Sequence, residues 1–174
     1  MASDAELVTA ARAGNREAFG ELIRRYERAV RATALGVLGN YHAADDAAQE
    51  AFVAAYEKLG QLRRASAFGG WLMKTARRKA IQQARRVPKA ASLDGLDPPA
   101  PTSDGRLDEP SQRVLTAVMR LSENERLVVM LRYFDGRAVR DIAATTGQSV
   151  GTVTKQLSRA HRRLRDRLEG WEND

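Results

Sequence analysis

The chain has 174 residues, with 29 Lys and Arg against 22 Asp and Glu and a formal net charge of +7. It contains no cysteine and only two histidines, His42 and His161, so we expect no disulfide framework, no metal site and no cofactor. No apolar run is long enough to span a bilayer and the start of the chain lacks a signal-peptide pattern, which predicts a cytoplasmic protein.

All five prolines lie between Pro88 and Pro110. They separate residues 1–86, with 15 Lys and Arg against 9 Asp and Glu, from residues 110–174, with 12 against 8. Residues 87–109 carry 2 basic and 5 acidic side chains, and their proline, glycine and aspartate content is typical of a flexible linker. Fully extended, this segment reaches about 75 Å at about 3.3 Å per residue. We predict an all-α fold of two small helical domains joined by this linker.

Residues 1–86 show the periodicity of four helices. Ser3 and Glu6 form a capping box for a short first helix, and Asn15 caps a longer second helix whose apolar stripe ends at Gly39. A third helix is predicted at about residues 43–59, with Asp45, Asp46, Gln49 and Glu50 in its first turns. Acidic side chains there suit the helix dipole. A loop at residues 60–67 precedes a fourth helix at residues 68–86.

The fourth helix predicts a binding face for a polyanion. Between Lys58 and Leu93 the chain has ten basic residues and no acidic one. In the fourth helix one polar face consists of Lys74, Arg78, Gln82 and Arg85, opposite the apolar Phe68, Leu72, Ala76 and Ala80. A solvated helix surface is the alternative, but such surfaces usually mix both signs of charge, so nucleic acid is favoured as the partner.

Residues 110–174 carry a pattern typical of a DNA-binding helix-turn-helix. A helix near residues 111–121 is followed by a second capping box, Ser122 with Glu125. A helix at residues 139–146, a turn at Gly147 and a last helix capped by Ser149 complete the pattern. The predicted buried seam of the last helix is Val150, Val153, Leu157, Ala160, Leu164 and Leu168. Its opposite side carries Thr152, Lys155, Gln156, Arg159 and Arg162, which suits base reading followed by phosphate contacts. A plain helical hairpin is the alternative.

Four stretches in chain order resemble bacterial RNA polymerase sigma factors of the extracytoplasmic-function (ECF) type in the sigma-70 family. They are residues 18–26 (AFGELIRRY), 44–52 (ADDAAQEAF), 71–81 (WLMKTARRKAI) and 131–136 (LRYFDG), the last continuing into the helix-turn-helix. The resemblance covers nearly the whole chain. It implies that residues 1–86 are sigma region 2, residues 87–109 a linker and residues 110–174 sigma region 4.

The resemblance also implies partners and site residues. Asp46 and Gln49 match the motif that docks on the β′ clamp coiled coil of core RNA polymerase. The minus-ten element, held as unpaired DNA, would contact Arg63, Arg64, Lys74, Arg78, Gln82 and Arg85. The minus-35 duplex would contact Thr152, Thr154, Lys155, Gln156, Arg159 and Arg162. The framework of region 4 would contact the polymerase β flap, and an anti-sigma protein is a further expected partner.

The sequence shows no catalytic constellation, so we expect no enzymatic activity. Phe68 and Trp71 could stack on unpaired bases, but their position on or near the apolar face favours core packing. Two other functions stay open at this point. One is a stand-alone helix-turn-helix regulator with an N-terminal sensor or dimerisation domain; the other is a general nucleic-acid-binding helper.

Overall fold

The structure is a computed structural model that describes residues 2–86 and 108–169. The N-terminal range forms α1 (Asp4–Arg12), α2 (Arg16–Leu38), α3 (Tyr41–Glu57) and α4 (Phe68–Arg86). The C-terminal range forms α5 (Glu109–Met119), α6 (Glu123–Val129), α7 (Val139–Thr146) and α8 (Val150–Glu169). The predicted all-α class with two helical domains is confirmed. The predicted linker lies outside the described residues except for Asp108 and Glu109, which cap and begin α5.

The N-terminal helices start and stop where the sequence indicates. Ser3 and Glu6 form the predicted capping box, and Asn15 accepts a hydrogen bond from the Ala18 backbone N–H at 3.1 Å. Gly39 ends α2 in the left-handed conformation, with a φ of 64°. A residue with a side chain is strained at that angle, so glycine fixes the turn into α3.

Helices α2, α3 and α4 pack against one another and form the core of the N-terminal domain. Small residues of α3, among them Ala47, Ala51 and Ala55, are fully buried and let the neighbouring helices approach closely. On α4, Phe68 and Leu72 are fully buried, as predicted from the apolar stripe. Trp71 is partly buried and packs against the same core, its ring centroid 6.1 Å from that of Phe68. Core packing is therefore confirmed for Phe68, and Trp71 lies at the core's edge.

Two local features of the C-terminal domain differ from the sequence prediction. The helix that begins at α6 continues as a π-helical turn, Met130–Phe134, which widens the helix by one residue per turn. The capping box predicted at Ser122 is wrong, because Ser122 makes no side-chain cap and Glu125 is buried. The Glu125 carboxylate instead accepts a hydrogen bond from Arg163 of α8 at 2.5 Å. Glu125 therefore forms an ion pair with Arg163 of α8 instead of the local capping contact with Ser122.

The two domains are in contact with each other. Helix α2 packs against α5, α6 and the π-helical turn, and α4 packs against α7. Buried apolar residues of both domains belong to one continuous cluster. Within residues 2–86 and 108–169, none of the helices combines the length and the apolar character needed to cross a bilayer.

Candidate nucleic-acid interface

The predicted cationic face of α4 is exposed. Lys74, Arg78, Gln82 and Arg85 all lie at the surface, while the opposite side of the helix is buried. Among the described residues, no carboxylate forms a salt bridge with any of the three basic members of this face. The basic residues between them behave differently. Lys79 binds Glu50 at 3.3 Å and Arg77 binds Glu123 at 2.5 Å. The sequence run of positive charge thus separates into side chains with intramolecular partners and a face available to an anion.

The loop between α3 and α4 carries two further exposed arginines, Arg63 and Arg64. Two short 3-10 turns shape it, Leu59–Gln61 and Ala65–Ala67. Because Leu59 and Leu62 are buried, they anchor the loop to the core and leave the arginine side chains in solvent.

Arg12 also holds this loop, and the sequence reasoning missed it. Its Nε donates a hydrogen bond to the Leu59 carbonyl oxygen at 3.1 Å, and its Nη2 donates to the Leu62 carbonyl oxygen. These partners are 47 and 50 residues away in the chain. No local periodicity carries such a signal.

The side of α3 that carries Asp46 and Gln49 is exposed as well. The neighbouring Asp45 is held by Arg31 of α2 at 2.8 Å, so the two adjacent aspartates have different surroundings. Val53, one turn beyond Gln49, is 59% exposed, and together these side chains line an open groove beside α4. The buried residues of α3 are alanines, so a larger apolar side chain this exposed stands apart from the rest of the helix. The sequence reasoning did not single it out.

The last helix, α8, presents most of its predicted reading face. The Ser149 Oγ accepts a hydrogen bond from the Thr152 backbone N–H at 3.1 Å and caps the helix, and Gly147 makes the preceding turn with a φ of 70°. Thr152, Thr154, Lys155, Arg159 and Arg162 are exposed, while Val153, Leu157 and Ala160 are buried.

Several positions of α8 differ from the sequence prediction. Leu164 and Leu168 were placed in the buried seam but are only partly buried. Val150 was placed in the buried seam but is 47% exposed, because it occupies the first turn before the helix meets its neighbours. Gln156 was placed on the outer side but is half-buried. The reading face of α8 therefore keeps its threonines, lysine and arginines, whereas Gln156 lies at the edge of the core.

A buried phenol lies where the two domains meet. The Tyr26 hydroxyl donates a hydrogen bond to Asp4, and its ring lies edge-on to Phe68 at a centroid distance of 5.6 Å. Burial, followed by the hydrogen bond to the Asp4 carboxylate, raises the pKa of Tyr26 well above its ordinary value. The phenol therefore remains a neutral hydrogen-bond donor at physiological pH.

Comparisons with known proteins agree with this arrangement. The family "Sigma-70 region 2" matches residues 22–88, and "Sigma-70, region 4" matches residues 111–164. The ECF RNA polymerase sigma factor SigM of Mycobacterium tuberculosis is 34% identical over 172 residues, covering 98% of this chain and 87% of SigM. The chain is an ECF sigma factor of the sigma-70 family.

Other relatives extend the comparison. The ECF RNA polymerase sigma-E factor of Escherichia coli is 30% identical, with 96% of this sigma factor and 95% of that protein covered. One relative is longer, the probable RNA polymerase sigma factor RfaY of Xanthomonas campestris. It is 30% identical to this sigma factor over 168 residues, which cover 91% of this chain but only 42% of RfaY.

Solved structures show the same fold. The sigma factor RpoE in complex with the anti-sigma factor NepR, from Bartonella quintana, matches with a TM-score of 0.58 at 25% identity, covering 87% of this chain and 96% of that one. CnrH in complex with the cytosolic domain of CnrY matches with a TM-score of 0.69 at 24% identity, covering 96% and 97%.

The family assigns the function: promoter-directed initiation of transcription with RNA polymerase. The stand-alone regulator and the general nucleic-acid-binding helper are not favoured, because both families of sigma regions match in the expected order.

Proposed function

We propose that this sigma factor divides its task among three surfaces. Asp46 and Gln49 on α3 dock on the β′ clamp coiled coil of core polymerase. The loop with Arg63 and Arg64, together with the face of Lys74, Arg78, Gln82 and Arg85, holds the unpaired minus-ten strand. The face of Thr152, Thr154, Lys155, Gln156, Arg159 and Arg162 reads the minus-35 duplex, with the framework of region 4 against the β flap.

One observation carries this proposal: two basic faces lie on separate domains, and each stays exposed while nearby basic side chains, Arg77 and Lys79 on α4 and Arg163 on α8, are paired within the protein. Exposed cations neutralise phosphates and release counterions, which supplies affinity independent of sequence. The threonines at the start of α8 can contact base edges in a major groove, where the sequence is read.

Opening the duplex needs no catalysis of a bond by the sigma factor. Each base stacked on the protein contributes about 1–3 kcal/mol, while the loss of a base-pair step costs about 1.4 kcal/mol. A few captured bases therefore offset the opening of several steps. The sigma factor acts by binding, in the cytoplasm where polymerase and promoter DNA meet.

We also propose that an anti-sigma factor binds this chain. The Bartonella relative was solved with an anti-sigma factor bound. A similar inhibitor for this sigma factor would separate its synthesis from its activity.

The test is run-off transcription with purified core polymerase. The double variant Asp46→Ala with Gln49→Ala is expected to abolish promoter-specific initiation and to leave the DNA affinity of the free chain within about twofold, since surface changes of this kind perturb stability little. Glu27→Ala is the matched control, because it removes one exposed carboxylate from α2, outside the docking face. Normal initiation by the double variant would show that the docking assignment is wrong.

A further inference from the structure

The start of α8 carries an apolar patch on a surface that is otherwise polar and basic. Val150 is 47% exposed, and Thr154, also exposed, lies four positions further along the helix. Side chains four positions apart on a helix are neighbours, so the two form one patch. The exposed cations beside it, Lys155 and Arg159, suit the phosphates of DNA. A phosphate gains nothing from an apolar patch, so these two residues call for a different contact.

Thr154 presents its methyl group to this patch and turns its hydroxyl back on the helix. The Thr154 Oγ1 donates a hydrogen bond to the Val150 carbonyl oxygen at 2.9 Å. The hydroxyl proton is therefore used within α8. Because the Cβ of threonine carries only a hydroxyl and a methyl, the methyl is the group left without a polar partner, beside the Val150 side chain.

The hydroxyl of Thr152 is engaged as well. Thr152 Oγ1 lies 2.8 Å from Ser149 Oγ, which also accepts a hydrogen bond from the Thr152 backbone N–H at 3.1 Å. These contacts cap α8. A hydrogen bond from this hydroxyl to a base would compete with the cap. The threonine hydroxyls at the start of α8 are therefore committed to the helix itself.

A glycine keeps the space beside the patch open. Gly151 lies three positions before Thr154 and is exposed. Among the described residues, a Cβ placed on Gly151 would meet only Ser149 Oγ, at 3.9 Å. No close packing contact there accounts for the glycine. Its missing side chain lets the edge of a base pair come close to Val150 and to the Thr154 methyl.

The major groove offers one alkyl group that fits such a patch. Guanine, cytosine and adenine present hydrogen-bond donors and acceptors there, whereas thymine adds its C5-methyl group. An apolar contact with that methyl distinguishes thymine from the other three bases. It requires neither a free hydroxyl nor a charge.

We propose that Val150 and Thr154 form a subsite that reads one thymine of the minus-35 element through its C5-methyl group, Thr154 contributing its methyl and not its hydroxyl. The inference rests on the proposed function, because it names a base for the face that reads the minus-35 duplex. Removal of one methyl group from water changes an affinity by about fourfold, which sets the expected size of the effect.

The test compares thymine with deoxyuridine, which lacks only the C5-methyl group. The probe is the duplex that the reconstituted holoenzyme selects from a promoter library randomised over the minus-35 element, with each thymine replaced in turn by deoxyuridine. For at least one thymine, the parent should bind the deoxyuridine duplex about fourfold more weakly. A selected element without thymine on either strand, or a parent affinity that no replacement lowers, would overturn the proposal.

Two variants separate the methyl of Thr154 from its hydroxyl. Thr154→Ser removes the methyl and keeps the hydroxyl, so it should bind the thymine duplex about fourfold more weakly and lose the preference for thymine over deoxyuridine at that position. Thr154→Val removes the hydroxyl and keeps an outward methyl, so it should retain this preference. Retention of the preference by Thr154→Ser, or its loss in Thr154→Val, would refute the assignment to the methyl group.

Thr9→Ser is the matched control. Thr9 is an exposed threonine of α1 whose hydroxyl donates to the Ala5 carbonyl oxygen at 2.8 Å, so the substitution removes the same methyl from the same local contact, away from α8. The control should keep the parent's preference for thymine, and a loss equal to that of Thr154→Ser would show that the subsite is not on α8. If the holoenzyme selects no sequence over the minus-35 element, the proposed function of the α8 face fails and the subsite with it. Selection of an element that is insensitive to the methyl group overturns the subsite alone.

Discussion

Arg12→Met is expected to weaken capture of the unpaired minus-ten strand without affecting the minus-35 contact. The change keeps the length and the apolar stem of the side chain and removes the guanidinium that binds the carbonyls of Leu59 and Leu62. These carbonyls fix the loop that presents Arg63 and Arg64. Once they lose their donor, the loop samples more conformations, and holding the DNA strand must order it again.

The size of the effect follows from the contacts. A hydrogen bond from a charged donor contributes about 1.5–3 kcal/mol when its partners are buried. Arg12 is exposed and water can replace part of each bond, so we expect about 1–2 kcal/mol in total. This corresponds to about a five- to thirtyfold loss of affinity.

The assay compares two DNA ligands of the reconstituted holoenzyme by fluorescence anisotropy. Affinity for a single-stranded minus-ten oligonucleotide should fall by the stated factor, and affinity for a minus-35 duplex should not change. Arg12→Lys should recover part of the loss, because one ammonium group cannot bond both carbonyls as a planar fork does. Arg24→Met is the control, since Arg24 is 68% exposed and forms only a surface pair with Glu21. Equal losses for both ligands, or a loss no greater than that of the control, would refute the reasoning.

Three further changes test packing and electrostatics. Leu72→Ala empties a fully buried site of α4 and should lower the free energy of unfolding by about 2–5 kcal/mol in a urea titration. Arg163→Ala leaves the buried Glu125 carboxylate without its partner and should lower the free energy of unfolding by about 1–3 kcal/mol in the same titration. Adding Glu125→Gln should restore part of this loss. A double variant no more stable than Arg163→Ala would contradict the pairing. Tyr26→Phe should reduce the loss of folding stability at alkaline pH. Burial and the hydrogen bond to Asp4 raise the pKa of Tyr26, so above about pH 10 the phenol ionises in the unfolded chain but keeps its proton in the folded one. The free energy of unfolding of the parent therefore falls as the pH rises, and the variant lacks this contribution. Urea unfolding at pH 9 and pH 11 measures how much the free energy of unfolding changes between the two pH values. An equal change in the parent and the variant would show that the phenol is not buried.

Local signals were enough to predict most helices and the exposed faces. The bounds of α4 and α7 agree with the prediction, because apolar spacing and Gly147 mark them within a few residues of sequence. The same spacing places Lys74 and Arg78 on the outer side of α4, where the structure has them. Such features depend on neighbours three or four positions away, and a sequence shows those neighbours directly.

Long-range contacts could not be read in this way. Glu125 has the spacing of a capping residue, yet its carboxylate binds Arg163, 38 positions along the chain. The π-helical turn at Met130–Phe134 likewise lies where α2 packs on the C-terminal domain, and nothing in its local sequence predicts the widened turn. The partners of Arg137 include a carbonyl 112 positions away. These contacts depend on which surfaces meet, and that is settled only by the whole fold.

The arginines of this sigma factor serve two separate purposes, which explains how two basic domains can lie against each other. Each of the arginines that cross the contact, Arg28, Arg77 and Arg137, has an acceptor or a ring on the other side. Arg77 and Arg137 each pair with a carboxylate as well, which balances their charge locally. The charges of the two proposed DNA-binding faces lie elsewhere, and beyond about 8 Å they are largely screened at physiological salt. They therefore oppose the contact between the domains only weakly. Lys74→Ala or Arg159→Ala should weaken DNA binding and lower its salt dependence, while the free energy of unfolding stays within about 0.5 kcal/mol of the parent value. A larger change in stability would show that the proposed DNA-binding faces and the domain contact share the same charges, contrary to the separation seen in the structure.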